Sequence, residues 1–324
     1  MDKLLIKNVH IIDPSQSLNC ISDIMIEDGV ISKLGKNLTV DCKTIDGSGL
    51  YAAPGLVDMH VHLRDPGFTD KEDIMTGCKS AAAGGVTSLL AMPNTKPAVD
   101  TPETVKYILD KAKNADARVY VVGAITKGLK SEEMTDIPAL KEAGIIALSD
   151  DGRPVVNTKF MAEAMQLADE LGLTVTAHCE DLFLADGGKI NEGKVSKLLG
   201  IKGIPAAAED TGTAREIAIA AAYGTAIHIC HVSTATSVAL VRDAKARGVR
   251  VTAETCPHYF TFTENELLKR DADFRMNPPL RTETDRQAII DGLLDGTLDA
   301  ISTDHAPHTP EEKADFEKSP NGSI

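Results

Sequence analysis

Hydrophobic and polar positions follow two different rhythms along this chain. Over residues 1–52, apolar and polar residues alternate in short runs, "KLLIKNVHII", "DIMIEDGVISKLG" and "TVDCKTIDGSG", punctuated by Gly and Asp. Period-two alternation between turn residues predicts strands, here a small N-terminal β module. From residue 53 the rhythm changes. Near-continuous apolar runs now alternate with Ala-rich stretches of helical spacing. The runs are "GVTSLLAMP" (85–93), "ARVYVVGAI" (117–125), "GIIALSD" (144–150), "LTVTAHC" (173–179), "TAIHICHV" (225–232), "GVRVTAETC" (248–256) and "LDAISTDH" (298–305). Helix candidates between them include "TPETVKYILDKAKNA", "KFMAEAMQLADELG", "TAREIAIAAAYG" and "ATSVALVRDAKARG".

Strands that are apolar on both faces and separated by helices belong to a parallel sheet covered on both sides. Together with the apolar "GLVDM" at 55–59 there are eight such runs, which match a (β/α)8 TIM-type barrel over residues 53–324. An open doubly wound sheet would carry a Gly-rich phosphate loop after its first strand, and no GxGxxG occurs there. The final stretch, "HTPEEKADFEKSPNGSI", is charged and rich in turn residues, and reads as a solvated loop.

Composition narrows the picture little: 43% hydrophobic and 25% charged residues suit an ordinary globular enzyme. The formal net charge of −14 argues against a nucleic-acid or anionic-membrane surface, while leaving room for a local anion pocket. There is no apolar run of membrane-spanning length, and the start "MDKLLIKNVHIIDPSQ" is too polar for a signal peptide. Six scattered cysteines without a CxxC pair suit reduced thiols in a cytoplasmic protein. Cys179 and Cys230 each adjoin a histidine, and strand alternation turns them away from it, into the core.

The chemistry lies at the strand ends, where barrel enzymes carry their functional groups. The first strand ends in His60, His62 and Arg64, at every second position and so on one face. The second delivers Asn94, the fourth Asp150 and Asp151, the fifth His178, the sixth His231, and the eighth Asp304 followed by His308. A lone histidine at such a place is ordinarily a hydrogen-bonded structural residue. Four of them with two aspartates form a ligand set for zinc or a similar divalent ion, and exceed what one tetrahedral ion takes. They suit two ions about 3.5–4 Å apart. Spacing alone leaves open whether Asp150 or Asp151 bridges them, and either could cap the following helix. His228, three before His231, is out of alternation with it and is expected to face the helix layer. His10 and His258 are expected to be structural or peripheral, and His305 to stand behind the ligands.

The stretches "PGLVDMHVHLRDPG" and "STDHAPHTPEEK" closely resemble the two signatures of dihydroorotases of the bacterial class I type, within the metal-dependent amidohydrolases. "AMPNTKP", "LSDDGRPV", "TAHCED", "HVST", "ETCPHY" and "RMNPPLR" follow in the family's order, and Lys313 after "DHAPH" is especially specific. The resemblance implies zinc-dependent, reversible hydrolysis of (S)-dihydroorotate to N-carbamoyl-L-aspartate in pyrimidine synthesis. It implies that His60 and His62 hold one zinc ion, that His178 and His231 hold the other, and that Asp151 bridges them where many relatives use a carboxylated lysine. Asp304 becomes a metal-site and catalytic residue that moves the proton. Arg64, Asn94, Asn277, His308 and the backbone near Gly322 become substrate-binding residues.

The resemblance also implies a homodimer and association with aspartate transcarbamoylase. Members of that family continue well past "PNGSI", so the barrel is expected to be incomplete, ending before its last helix and before the C-terminal strands that make the N-terminal module, residues 1–52, part of a β-sandwich. Two other readings compete. One is another cyclic amidohydrolase, allantoinase-like or hydantoinase-like; the other is a catalytically silent homologue serving as a structural partner.

Overall fold

The computed structural model describes residues 2–322, and the chain divides into two compact units with the break after Leu56. In the first unit the strands Lys3–Asp13, Leu18–Glu27 and Val30–Gly35 form an antiparallel meander. Lys43–Asp46 and Tyr51–Ala52 add to the other edge of Lys3–Asp13, both parallel to it. Val9 and Ile11, two apart on one strand, pack with Ile24 as its small core.

The second unit is an eight-stranded parallel sheet. Its strands, in spatial and chain order, are Leu56–Val61, Val86–Ala91, Arg118–Gly123, Ile145–Leu148, Thr174–Ala177, Ile227–Ile229, Val251–Thr255 and Ala300–Ile301. A parallel bridge between Val61 and His305, with the His62 amide donating to the His305 carbonyl at 2.8 Å, joins the eighth strand to the first. This is the (β/α)8 architecture that the apolar runs predict.

The helices start where the sequence supplies a cap. Thr101 precedes Pro102–Ala112, Asn157 precedes Thr158–Glu170 and Thr234 precedes Ala235–Ala246, each side chain accepting from an amide of the first turn. Val119, Val121, Val175, Ile227 and Ile229 lie in one buried cluster with helix residues such as Ile108, Met165 and Val241. The alternate positions Leu90, Val122 and Ala147 form a separate cluster with Tyr120 and Met92 inside the barrel. Alternation thus sorts the second and third strands into a helix-facing and an interior set, while the fourth, where the register shifts, puts Ile145 and Leu148 outward and Ala147 inward.

Between the fifth and sixth barrel strands the chain makes an excursion that carries the short pair Ile190–Asn191 and Gly203–Ile204. Ile190 and Val195 of this excursion, Leu267 and Ala272 pack around Phe316. The final stretch therefore differs from the solvated loop its charge predicts. Pro310–Lys313 forms one helical turn capped by Thr309, and Phe316 and Ser319 are buried. Phe316, one aromatic ring among charges, is too weak a periodic signal to reveal this.

Candidate active site

Within the first barrel strand's exit, Val61 and Leu63 join the helix-facing cluster while His60 and His62 turn inward. Asp151, four positions past the fourth strand's Ala147, meets both of them. Its carboxylate lies 3.3 Å from His60 Nε2, 3.4 Å from His62 Nε2, 3.5 Å from His231 Nε2 and 3.7 Å from His178 Nδ1. Asp304 Oδ1 lies 3.0 Å from His62 Nε2 and 3.6 Å from His60 Nε2. All six side chains are buried.

Asp150 has another task. Its carboxylate accepts from the amides of Ile125 (2.7 Å) and Thr126 (3.0 Å) and from the Thr126 hydroxyl, tying the end of the fourth strand to the end of the third. Burial nevertheless pushes its carboxyl up to about 6. Asp150 and Asp151 thus point to different neighbours, and Asn157, not either of them, caps the next helix. Gly152 follows at φ +73°, and a Cβ there would sit 3.2 Å from Asn94 Nδ2.

The donor atoms fall into two triads that could each hold a metal ion, His60–His62–Asp151 and Asp151–His178–His231, sharing Asp151. Two of the atoms at the centre, His60 Nε2 and Asp151 Oδ1, are buried without a hydrogen-bond partner. Buried polar atoms are rarely left unpaired, so their donor chemistry fits a cation between them. The outer nitrogens are committed elsewhere. His60 Nδ1 donates to Glu254 at 3.2 Å, His62 Nδ1 to Asn94 Oδ1 at 2.8 Å, and His178 Nε2 to Glu180 at 3.2 Å. Each such bond fixes the ring's orientation and leaves the other nitrogen's lone pair for the centre. Burial opposes ionisation of Asp151, but the adjoining His60 outweighs it and holds the carboxyl well below its ordinary range.

Two positions depart from expectation. His228 does not face the helix layer: Ile227 and Ile229 do, and His228 points inside, 3.5 Å from Glu254 Oε2 and 2.8 Å from Thr252 Oγ1. His231 reaches the same interior because it adopts φ +37°, which breaks alternation after the strand ends. Cys230 likewise lies against His60 and Glu254 rather than in the outer core, whereas Cys179 does pack there. His258 takes the structural of its two expected places, buried near Cys256 and Asp304, and burial lowers it to about 4. His10 pairs with Asn19 at 2.6 Å, and His305 Nε2 lies 2.5 Å from Glu72, turned from the cluster.

A cavity of about 560 Å³ opens above the cluster, lined among others by Asn94, Glu180, Asn277 and Asp304. Arg64, His308 and Gly322 line the same cavity. Arg64, at φ +60°, donates Nε to the Pro307 carbonyl at 3.2 Å and Nη2 to His308 Nε2 at 3.3 Å. His308 donates Nδ1 to Glu312 at 2.9 Å, and burial, with Arg64 and Lys71 nearby, lowers it to about 4, so its ring is neutral at pH 7. Gly322 abuts His308 so closely that a Cβ would stand 2.6 Å from the ring, and its amide is already committed to the Arg275 carbonyl at 3.0 Å. Asn277 Nδ2 donates to Glu180 at 3.4 Å.

Two functional positions escaped the sequence reading. Glu254 is fully buried between His60 and His228, and Glu180 links His178 to Asn277. A carboxylate inside the apolar run "GVRVTAETC" was the available signal for Glu254.

Comparison with known proteins bears on the fold and the family. A family model described as dihydro-orotase-like matches residues 49–237. The dihydroorotase of Ruminiclostridium cellulolyticum is 51% identical over 325 residues, covering 99% of this chain and 76% of that protein. That of Acetivibrio thermocellus is 49% identical over 324 residues, with the same two coverages of 99% and 76%. Among solved structures, L-hydantoinase (dihydropyrimidinase) from Arthrobacter aurescens shares the fold with TM-score 0.85 at 23% identity, over 99% of this chain and 74% of that one. D-hydantoinase (dihydropyrimidinase) from Thermus sp. matches with TM-score 0.80 at 29% identity, over 99% and 73%. Barrel, rim cluster and relatives converge: the chain belongs to the dihydroorotase family, hydrolases of cyclic amides.

Proposed function

We propose that this chain hydrolyses (S)-dihydroorotate reversibly to N-carbamoyl-L-aspartate, a step of pyrimidine synthesis, using two zinc ions that share Asp151. The observation that carries the reading is the pair of overlapping ligand triads with unpaired donor atoms at their centre. His60 and His62 would hold one ion, His178 and His231 the other. A zinc pair, when bound, supplies water activated at neutral pH and polarises the ring carbonyl.

The remaining work falls to side chains. Asp304, beside His62 and within the cavity wall, takes the proton of the attacking water and returns it to the ring nitrogen as the C–N bond breaks. Arg64 is half-enclosed on the wall beside neutral His308, and its guanidinium offers the substrate carboxylate a planar pair of donors. Asn94 accepts from His62 with its oxygen and so keeps Nδ2 as the donor that meets the substrate. Asn277, tied to Glu180, lines the same cavity and meets the substrate there. A carboxylate-bearing substrate explains Arg64 in this place better than a neutral hydantoin does.

The test is zinc per chain on the purified protein, together with loss of dihydroorotate's ultraviolet absorbance. Two zinc ions with turnover support the reading. Metal with turnover of hydantoin or allantoin but not dihydroorotate would replace the substrate, and a folded, metal-free protein would sink the metal assignment.

A further inference from the structure

Lys313 completes the motif "DHAPHTPEEK", yet nothing in the chemistry above uses it. Its place in the fold gives it a different kind of task. The ammonium is half-buried and donates to three backbone carbonyls: Ala272 at 3.1 Å, Gly322 at 3.0 Å and Pro320 at 3.4 Å. An ammonium carries three N–H donors, and here a different carbonyl faces each of them. Two of those carbonyls belong to the segment that ends at the cavity wall, and the third to the stretch before Arg275.

Arg275, itself buried, holds the same segment from the other side. Nη1 donates to the Phe316 carbonyl at 2.6 Å and Nη2 to Asn321 Oδ1 at 2.9 Å, while its carbonyl accepts the Gly322 amide. Asn321 in turn donates to the Lys189 carbonyl at 3.2 Å, and Lys189 Nζ to the Glu317 carbonyl at 2.6 Å. Two cations are therefore spent on main-chain carbonyls of one segment. Burying such cations is costly, and the return is a fixed backbone.

What that backbone fixes is Gly322, pressed against His308, which receives a hydrogen bond from Arg64. We propose that Lys313, together with Arg275, is a positioning residue that pins the segment 314–322 as a cavity wall and thereby sets affinity for the substrate carboxylate. The naming of that substrate rests on the dihydroorotase reading above; the pin itself rests only on the contacts just described. The proposed metal ligands His60, His62 and His178 are oriented by other contacts, to Glu254, Asn94 and Glu180, so metal binding is expected to survive loss of the pin.

The experiment is Lys313→Met in the full chain, which keeps the length of the side chain and removes the three donors. Three readouts are taken: zinc content, kcat against KM for dihydroorotate, and amide hydrogen exchange. The expected result is faster exchange across 315–322, a KM raised about tenfold or more, as loss of charge-assisted hydrogen bonds implies, and zinc and kcat little changed. Unchanged exchange would overturn the pin. So would a loss of zinc or kcat at constant KM, because that would make Lys313 part of the metal side. If Lys313→Met does not fold, Asn321→Ala removes one contact of Arg275 and is expected to move exchange and KM in the same directions by less; no movement overturns the proposal. Should the wild type fail to turn over dihydroorotate, the substrate reading falls, and the exchange experiment still decides the pin.

Discussion

The metal-ligand side of the cavity and the Arg64–His308 side are built from different kinds of chain. His60, His62, Asp151, His178 and His231 come from the ends of short barrel strands, whose backbones are held by ladder pairing and by the cluster of helix-facing residues. His308 and Gly322 come from a segment with one helical turn, held by Lys313, Arg275 and the burial of Phe316. The first side has its positions dictated by alternation and the barrel. The second depends on a few long-range contacts. Affinity and chemistry should therefore separate by mutation: damage to the metal ligands at the strand exits falls on metal and kcat, damage to the segment on KM, and Arg64, although it leaves the same strand as His60 and His62, goes with the segment through its bond to His308.

The largest effect is expected at Asp304. Asp304→Asn keeps the size of the side chain and should retain the fold, as followed by circular dichroism, while kcat falls about a hundredfold to ten-thousandfold. Turnover at the wild-type rate would remove Asp304 from proton transfer.

Glu254→Gln probes the strand-exit side from behind. It leaves His60 Nδ1 without its carboxylate partner, and metal affinity measured by chelator competition should drop about 10–100-fold, the usual cost of losing a partner of this kind. An effect confined to KM would blur the distinction between the two sides.

Arg64→Lys should raise KM for dihydroorotate about tenfold or more with zinc content unchanged. A lysine cannot make the Nε bond to Pro307, meet His308 and grip a carboxylate bidentately at once. A fall in kcat alone would move Arg64 to the other side of the comparison.

The smallest effect is on stability. His308 has a folded pKa depressed to about 4, below its ordinary value of 6.5. Its neutral form is favoured in the fold, so the stability it contributes is present above pH 6.5 and is lost as pH falls through about 4. The difference in Tm between wild type and His308→Gln should accordingly shrink from pH 7 to pH 4. A constant difference would show that His308 does not titrate with folding.

How much of this was legible in the sequence varies with the distance over which each contact acts. The eight apolar runs, the strand-end histidines and the choice of a barrel follow from local periodicity, and all appear in the structure at the expected places. The separate duties of Asp150 and Asp151 were not legible, because adjacent carboxylates differ only in which neighbours the fold brings: Thr126 to one, four imidazoles to the other. His228 was misplaced for a related reason. Alternation holds within a strand, but the positive φ of His231 resets the phase just past its end.

By itself the sequence determined which residues carry donor atoms and, through period-two and helical spacing, which face each one presents while its strand lasts. The tertiary structure alone decided what happens beyond the strand ends. There, left-handed backbone at Arg64, His231 and Asp304 re-aims the side chains, and cations such as Lys313 and Arg275 find their carbonyls. Local periodicity is a property of consecutive residues. A turn out of phase, or a carbonyl some forty residues away, is set only by packing against the rest of the chain.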